Sequence, residues 1–171
     1  MSGSNKERVF LGLGGNLGDP AAAMAAALRI IDADRGTKVV AVSSIYRTPP
    51  WGKTDQPDFL NAVAELRTSH SPRALLALGL DAELALKRER RERWGPRIID
   101  IDILLFGDRT VHEASLDIPH PRMFERGFVL VPLAEIAHDL RVGAKTVSQH
   151  LAVIDSSGIV RLESGNDWWK T

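Results

Sequence analysis

The stretch Ile98-Ile99-Asp100-Ile101-Asp102-Ile103-Leu104-Leu105-Phe106 is the most apolar strand candidate in the chain, and two aspartates alone interrupt it. Side chains of a β-strand alternate between its two faces, so Asp100 and Asp102 are predicted to share one face. The isoleucines at positions 99, 101 and 103 then line the other face. Because Ile98 and Leu104 lie on the aspartate side, we do not interpret that side as a simply solvated surface.

Upstream of this stretch the sequence predicts two helices and three strands. We expect strands at residues 9–13, 39–46 and 59–66, a helix at residues 21–34, and a longer helix from Ser71 into the charged run at residues 87–93. The segment 59–66 is compatible with a strand or a short helix, and we choose the strand because prolines and turn residues bound it. Residues 47–57 contain two consecutive prolines and a polar run, so we expect an irregular and functional loop there.

Together with the apolar stretch, these elements follow the order β-α-β-β-α-β, which is that of the ferredoxin-like split βαβ fold. The predicted fold class is therefore α+β, with an antiparallel sheet and helices on one face. C-terminal additions are expected as short strands near Thr110 and Leu116, a helical turn near Phe124, and helices at residues 128–136 and 147–154. The tail beyond Val142 carries no usable motif, and the sequence leaves open whether it packs on the core.

Length and composition restrict the function further. The 171 residues suit one domain, which we place at residues 8–171 after a flexible N-terminus at residues 1–7. Lys and Arg number 22, as do Asp and Glu, so the zero net charge gives no general attraction to nucleic acid or to a membrane surface. The absence of cysteine excludes thiolate chemistry. We expect a cytoplasmic monomer.

The glycine run at residues 12–18 invites a nucleotide-binding interpretation, but both common phosphate-loop patterns fail. Leu17 stands where the third glycine of the dinucleotide-binding pattern is required, and no Gly-Lys-Ser/Thr follows. A tight strand-to-helix turn that needs positive φ is the more probable structural role of these glycines.

The two aspartates have a chemical meaning beyond the strand. Carboxylates one strand repeat apart repel each other unless a cation lies between them, and Mg²⁺ is typically held by one or two carboxylates together with substrate phosphates. The run from Lys87 to Arg97 contains five arginines and lies just before this strand. Arginine binds phosphate in a bidentate manner. A solvated helix end is the alternative, but beside the carboxylates the pattern indicates a magnesium–nucleotide site.

Two tryptophans and one histidine lie in loop segments where a functional role has to be considered. Trp51 and Trp94 both lie in segments that contain proline and glycine, where a large aromatic side chain is expected to cover a planar ligand. His120 lies between two prolines, and a single loop histidine is more often structural than functional.

Five ordered blocks of this sequence resemble the 6-hydroxymethyl-7,8-dihydropterin pyrophosphokinase family of folate biosynthesis. They are Leu13-Gly14-Gly15-Asn16-Leu17-Gly18-Asp19, Ser43-Ser44-Ile45-Tyr46-Arg47-Thr48-Pro49-Pro50, Asp55-Gln56-Pro57-Asp58-Phe59-Leu60-Asn61, the segment 93–107, and the segment 118–128. The resemblance implies the ferredoxin-like fold and transfer of a pyrophosphoryl group from MgATP to the pterin hydroxymethyl oxygen, with release of AMP.

The resemblance also implies roles for single residues. Asp100 and Asp102 match the ligands of two Mg²⁺ ions and, with Arg97, form the catalytic set. The ATP-binding positions are Glu83, Arg88, Arg90, Arg91, Arg97, His120 and Arg126. The pterin-binding positions are Thr48, Pro49, Trp51, Phe59, Asn61, Trp94 and Phe128. The chain departs from the family pattern at Gly15, at Lys87-Arg88 and at Pro121, which replaces a frequent tyrosine.

Two other functions are considered on the same residues. A nucleotidyltransferase could use the paired aspartates but would release pyrophosphate rather than AMP. A ferredoxin-like RNA-binding domain could use the arginine run and Trp94, but it should carry an aromatic–basic motif on a strand. The strand in question carries aspartates instead.

Overall fold

A computed structural model describes residues 6–50, 55–87, 98–162 and 165–170, and it forms one main sheet covered by helices. Up to the aspartate strand the elements are β1 (Glu7–Gly15), α1 (Pro20–Ala33), β2 (Thr37–Val42), β3 (Tyr46–Thr48), β4 (Phe59–Thr68), α2 (Pro72–Lys87) and β5 (Asp100–Phe106). Then come β6 (Val111–Glu113), β7 (Leu116–Ile118), a 3-10 turn (Met123–Glu125), α3 (Gly127–Ala137), β8 (Arg141–Val142), β9 (Lys145–Thr146), α4 (Val147–Ala152) and β10 (Val160–Arg161). No helix in these ranges is long and apolar enough to cross a membrane.

The main sheet is antiparallel throughout its described pairings. β1 lies between β4 and β5, while β2 and β3 both pair with β4 on its other side, and β10 pairs with β3. The result is a mixed α/β fold with an antiparallel sheet and, in the described part of the chain, four α-helices. The two predicted helices and the strand at residue 59, chosen over a helix, are present, but three strands rather than two lie between α1 and α2.

Local signals explain where the two longer helices begin. The Asp19 side chain accepts a hydrogen bond of 3.1 Å from the Ala22 amide, and Pro20 occupies the first helical position of α1. The Ser71 hydroxyl accepts a hydrogen bond of 3.1 Å from the Ala74 amide at the start of α2. Both caps satisfy an amide that would otherwise lack an intrahelical partner.

The two faces of the sheet bury different sets of side chains. On one face, β1 residues such as Leu11 pack with Leu28 of α1 and Leu75 of α2. On the other face, Phe10 of β1 packs with Leu130 and neighbouring residues of α3. Helices α1 and α2 therefore share one face, and the C-terminal helix α3 covers the opposite face.

The predicted strand at residues 39–46 is wrong in one respect, because it is broken into β2 and β3. The Ser43 amide donates to the Val63 carbonyl at 2.9 Å, and the Val63 amide donates back to the Ser43 hydroxyl at 2.9 Å. A side-chain oxygen thus replaces the backbone acceptor of a regular ladder, which ends β2. The strand then resumes, and Arg47 and Thr48 pair with Leu60 and Phe59, so the expected irregular loop does not begin at residue 47.

Candidate substrate site on the α3 face of the sheet

One row of side chains runs across four strands of the main sheet. Tyr46 of β3 lies opposite Asn61 of β4, Asn61 lies opposite Gly14 of β1, and Gly14 lies opposite Asp100 of β5. Directly paired residues point to the same face of a sheet. Asn61 and Asp100 therefore lie on one face with only a glycine between them.

The neighbouring row brings in the second carboxylate. Val63 of β4 lies opposite Gly12 of β1, and Gly12 lies opposite Asp102 of β5. Val63 packs in the cluster formed with α3, so both carboxylates lie on the α3 face, as their alternation in sequence predicts. Asp100 is half-buried and Asp102 is exposed, which leaves this part of the face accessible.

Gly14 is required by the close approach of Asn61. A Cβ atom on Gly14 would lie 2.5 Å from the Asn61 Oδ1 atom, whereas a Cβ on Gly12 would meet Leu104 at 3.4 Å. Both glycines lie within β1, so the interpretation of the glycine run as a positive-φ turn is wrong for them. Among the glycines of that run, only Gly18 has positive φ, at 66°.

The candidate pterin-binding residues Thr48 and Phe59 face each other across β3 and β4, next to the row of Asn61. Thr48 is 8% exposed, and its hydroxyl has no hydrogen-bond partner in the described part of the chain. Asn61 is also 8% exposed. Buried polar atoms are normally paired, so the unpaired Thr48 hydroxyl is a candidate contact for a polar group of a substrate. Pro49 follows β3 directly and is exposed.

Asn16 is a buried polar residue near the candidate pterin-binding segment, and its sequence pattern alone predicts no role for it. It is 2% exposed, and its amide nitrogen donates to the Gln56 side chain at 2.9 Å and to the Pro57 carbonyl at 3.3 Å. Its Oδ1 atom, like the Thr48 hydroxyl, lacks a partner among the described residues. Through these hydrogen bonds, Asn16 links the end of β1 to the segment that precedes Phe59. In the sequence, the signal for a buried polar role was that Asn16 is a polar residue inside an otherwise apolar and glycine-rich run.

Glu83 lies on α2, beside the carboxylate pair. Its Oε2 atom accepts a hydrogen bond of 2.7 Å from the Ile101 amide, and Lys87 lies 3.7 Å from its other oxygen. Burial raises the pKa of Glu83, and the negative charges of Asp100 and Asp102 act in the same direction, against the hydrogen bond and Lys87. The Glu83 carboxylate is thus hydrogen-bonded to the edge of β5 at Ile101, the residue between the two aspartates.

His120 reaches the same strand from the loop after β7. Its amide donates to the Leu104 carbonyl at 2.9 Å, and its Nδ1 atom accepts a hydrogen bond of 3.2 Å from the Arg122 amide. Burial lowers the pKa of His120, although the nearby charge of Asp102 opposes this shift. With Nδ1 acting as acceptor, the neutral ring carries its proton on Nε2 and can donate from there.

Arg126 and Phe128 stand at the N-terminus of α3. The Arg126 guanidinium carbon lies 5.5 Å from the centre of the Phe128 ring, and both side chains are half-buried. The charge of Arg126 also acts on the pKa of His120, which places these residues in one neighbourhood. The described site thus has an aromatic and cationic part beside the carboxylates.

Six predicted site residues lie outside the described part of the chain: Trp51, Arg88, Arg90, Arg91, Trp94 and Arg97. Their roles stay predictions.

The donor set is compatible with Mg²⁺ that is shared with a substrate. Within the described ranges no group of three or more His, Asp and Glu residues could hold a metal ion. Mg²⁺ commonly takes one or two carboxylates and completes its octahedral shell with water and substrate phosphates. Two carboxylates on one accessible face fit that mode of binding.

The sequence of this chain is similar to those of known proteins. A family model described as 7,8-dihydro-6-hydroxymethylpterin-pyrophosphokinase matches residues 10–138. The 2-amino-4-hydroxy-6-hydroxymethyldihydropteridine pyrophosphokinase of Methylorubrum extorquens is 52% identical over 91% of this chain and 99% of the relative. The enzyme of that name from Pseudomonas aeruginosa is 43% identical over 91% of this chain and 97% of its own length.

A solved structure supports the fold. The crystal structure of Plasmodium falciparum HPPK-DHPS with STZ-DHP has a TM-score of 0.70 and 16% identity, over 86% of this chain and 43% of that chain. The family model and the two bacterial relatives cover the strands that carry the carboxylates and Asn61. The chain therefore belongs to the 7,8-dihydro-6-hydroxymethylpterin pyrophosphokinase family.

Proposed function

We propose that the α3 face of the sheet, at the rows of Asn61, Asp100 and Asp102, is where this enzyme joins its two substrates. As a member of its family, the protein transfers a pyrophosphoryl group from ATP to the hydroxymethyl oxygen of 6-hydroxymethyl-7,8-dihydropterin and releases AMP, a step of folate biosynthesis. The observation that carries the proposal is the row in which Asn61 and Asp100 flank Gly14.

The pterin is proposed to bind at the Asn61 end of that row. The Asn61 amide and the Thr48 hydroxyl are buried polar groups that a pterin edge, with its ring nitrogens, carbonyl and amino group, can pair. Phe59 and Phe128 supply aromatic faces for the flat ring. The hydroxymethyl group then points toward β5 and its carboxylates. Pro49, Trp51 and Trp94 complete the proposed pocket.

The nucleotide is proposed to bind at the β5 end. His120 lies near the charges of both Asp102 and Arg126, and His120, with Nε2–H as a donor, and Arg126 can contact phosphate or ribose oxygens. Arg88, Arg90, Arg91 and Arg97 are proposed as further phosphate ligands. Glu83 is proposed as part of the ATP site through β5, since its carboxylate already binds the Ile101 amide.

Asp100 and Asp102 are the proposed ligands of two Mg²⁺ ions. Bound there, Mg²⁺ supplies charge neutralisation on the ATP oxygens and orients the phosphates. The carboxylates fix where the phosphates lie relative to the pterin. No strong base stands among the described residues assigned to the site, so the chain contributes mainly by positioning the primary alcohol in line with the β-phosphorus. The arginines stabilise the charge on the departing AMP.

The sheet topology supports the finer fold class as well. The strand order β5-β1-β4 followed by β2 and β3, with α1 and α2 on one face, is what the ferredoxin-like order β-α-β-β-α-β requires. We propose this classification, with α3 and later elements as additions. Residues 8–171 are proposed as one domain. Glu7, predicted to belong to the flexible N-terminus, is already part of β1 and pairs with Thr68 of β4. A cytoplasmic, monomeric state without nucleic acid stays a prediction.

The direct test is identification of the products. The protein is incubated with MgATP and 6-hydroxymethyl-7,8-dihydropterin, and nucleotides are separated by chromatography. Formation of AMP in equal amount to pterin pyrophosphate is expected from wild type, and its loss is expected in Asp100→Asn. Release of pyrophosphate with a nucleotidylated pterin would instead indicate a nucleotidyltransferase.

A further inference from the structure

The chain beyond the family match packs back onto the main sheet. β10 pairs with β3, so that Val160 lies opposite Arg47 and Arg161 lies opposite Tyr46. The Leu162 amide donates to the Ile45 carbonyl at 2.9 Å. The family model ends at residue 138, so these contacts come from a part of the chain that the match does not cover.

The two tryptophans near the C-terminus extend this attachment. The Trp168 indole N–H donates to the Ser43 carbonyl at 2.8 Å, at the point where β2 ends. Trp169 is 8% exposed within the core on the side of α1 and α2, and its carbonyl accepts a hydrogen bond of 2.9 Å from Arg29. Residues 160–162 and 165–170, which we call the C-terminal strap, therefore contact both the strand break and the core.

The carboxylate of Glu135 on α3 is where the strap meets the sheet. It accepts hydrogen bonds from the Ser44 amide at 2.9 Å, the Ser44 hydroxyl at 3.0 Å, the Tyr46 hydroxyl at 2.7 Å and the Asn166 amide nitrogen at 3.0 Å. Arg161 lies 3.4 Å away, and the Glu135 side chain is 14% exposed. The Glu135 carboxylate thus accepts hydrogen bonds from three places: from β3, from the break between β2 and β3, and from the strap.

The pieces held by this carboxylate carry candidate pterin contacts. Tyr46 lies opposite Asn61, and Thr48 lies two residues further along β3, opposite Phe59. β3 has only three residues. A strand that short is weakly fixed by its ladder alone, so its position depends on contacts outside the ladder. A sliding or tilting of β3 would move the Thr48 hydroxyl relative to Asn61.

We infer that Glu135 is a positioning residue for pterin binding, and that the C-terminal strap acts with it by supplying Arg161 and Asn166. The inference rests on the proposed pterin site. Glu135 contacts neither substrate in this scheme. It fixes β3 against β4, and the strap, through Asn166 and Arg161, holds the carboxylate in position at the strand break.

The test compares pterin affinity with nucleotide affinity in variants of the full-length protein. Calorimetry with a non-hydrolysable ATP analogue gives the nucleotide Kd, and subsequent addition of pterin gives the pterin Kd. In Glu135→Leu we expect the pterin Kd to rise by about tenfold or more, because three donors on β3 and the strand break lose their acceptor. The nucleotide Kd should change by less than about twofold. Glu135→Gln, which keeps an acceptor oxygen, should recover most of the pterin affinity.

Glu65 offers a matched control. It is also a carboxylate on the α3 face of the sheet, with its side chain 10% exposed and an arginine at 2.9 Å, but it lies away from the pterin row. Glu65→Leu should lower the Tm without changing the pterin Kd. The positioning role is wrong if Glu135→Leu lowers the Tm as much as Glu65→Leu does and leaves the pterin Kd unchanged. It is also wrong if Glu135→Leu weakens the binding of pterin and of nucleotide to the same extent.

Two milder variants keep the test decisive if Glu135→Leu does not fold. Arg161→Gln and Asn166→Ala remove strap contacts at exposed positions, and each should raise the pterin Kd by a few fold with the nucleotide Kd unchanged. Unchanged pterin Kd in both would overturn the role of the strap. Asn61→Ala is measured in parallel and tests the proposed pocket separately. If Asn61→Ala leaves pterin binding unaffected, the pocket has been misplaced, whatever the Glu135 variants show.

Discussion

The carboxylate of Glu83 accepts a hydrogen bond of 2.7 Å from the backbone N–H of Ile101, the residue that separates Asp100 from Asp102. Among the strands that the structure describes, β5 pairs with β1 alone, and its other edge requires hydrogen-bond partners that are not strands of this sheet. Glu83 provides one at the position where the two carboxylates project. The geometry of the carboxylate pair is therefore connected to helix α2.

Replacement of Glu83 tests that connection. Glu83→Ala removes the acceptor of a partly buried amide, and we expect unfolding in urea to require about 1–3 kcal/mol less free energy. The Mg²⁺ concentration for half-maximal activity should rise, because β5 is held less firmly. Glu83→Gln keeps an acceptor and should remain near wild type in both measurements. Equal loss in the two variants would mean that the charge, not the hydrogen bond, matters.

The carboxylates themselves should be needed for turnover and not for folding. Asp100→Asn and Asp102→Asn keep the size of the side chain, and we expect each to lower kcat by at least about two orders of magnitude with an unchanged Tm. Steady-state AMP formation and thermal unfolding are the measurements. AMP formation at the wild-type rate in either folded variant would contradict the metal assignment.

Asn61 should affect one substrate only. Asn61→Ala is expected to cost about 1–3 kcal/mol of pterin binding, since it leaves polar atoms of the bound ring unpaired, while nucleotide affinity stays the same. Calorimetry on each substrate measures both values. An equal weakening of ATP binding would show that the pocket has been placed wrongly.

Gly14 should be intolerant of a side chain for a reason that Gly12 does not share. A Cβ on Gly14 would lie 2.5 Å from the Asn61 Oδ1 atom, so Gly14→Ala must displace that amide. We expect a loss of pterin affinity similar to that of Asn61→Ala, and about 1–3 kcal/mol lower stability from overpacking. In Gly12→Ala the new Cβ meets Leu104 at 3.4 Å, an ordinary contact, and pterin affinity should stay close to wild type. Similar pterin affinities in the two variants would disprove the steric argument.

The pair of Asp34 and His70 gives a pH dependence away from the site. The hydrogen bond from His70 at 2.6 Å lowers the pKa of Asp34 below its ordinary value of 3.8. A depressed folded-state pKa contributes stability above the unfolded-state pKa, and this contribution disappears as the pH falls through the folded-state value. Asp34→Asn should therefore be less stable than wild type at pH 7, with the difference shrinking below about pH 4.

Urea unfolding at pH 7 and pH 3 measures this effect. Asp139→Asn is the control, since the Asp139 side chain is 92% exposed. A difference between Asp34→Asn and wild type that is constant over this pH range would exclude the carboxylate as its source.

The common face of the two carboxylates and the positions of α1, α2 and β5 could be predicted because they depend on local periodicity. Alternation in β5 is a property of neighbouring residues, and so is the cap of α1 at Asp19. The break between β2 and β3 could not be predicted, because the Ser43 hydroxyl replaces a ladder acceptor only when Val63, twenty residues later, lies beside it.

The packing of the tail onto the core could not be predicted from the sequence for the same physical reason. The contacts of Trp168 with Ser43 and of Arg161 with Ser44 join residues that are 125 and 117 positions apart. No periodicity reports such pairs. The glycines of β1 were misinterpreted as turn residues because a glycine needed for close approach and one needed for positive φ look alike in sequence.

Asp100 and Asp102 are proposed to hold the divalent ions that accompany the nucleotide. Electron paramagnetic resonance of Mn²⁺, used in place of Mg²⁺, counts bound ions from the loss of the free-ion signal. With a non-hydrolysable ATP analogue at one equivalent per chain and pterin present, we predict two bound ions per chain for wild type. The Asp100→Asn/Asp102→Asn double variant should bind markedly fewer. The same number of bound ions in the double variant would contradict the account.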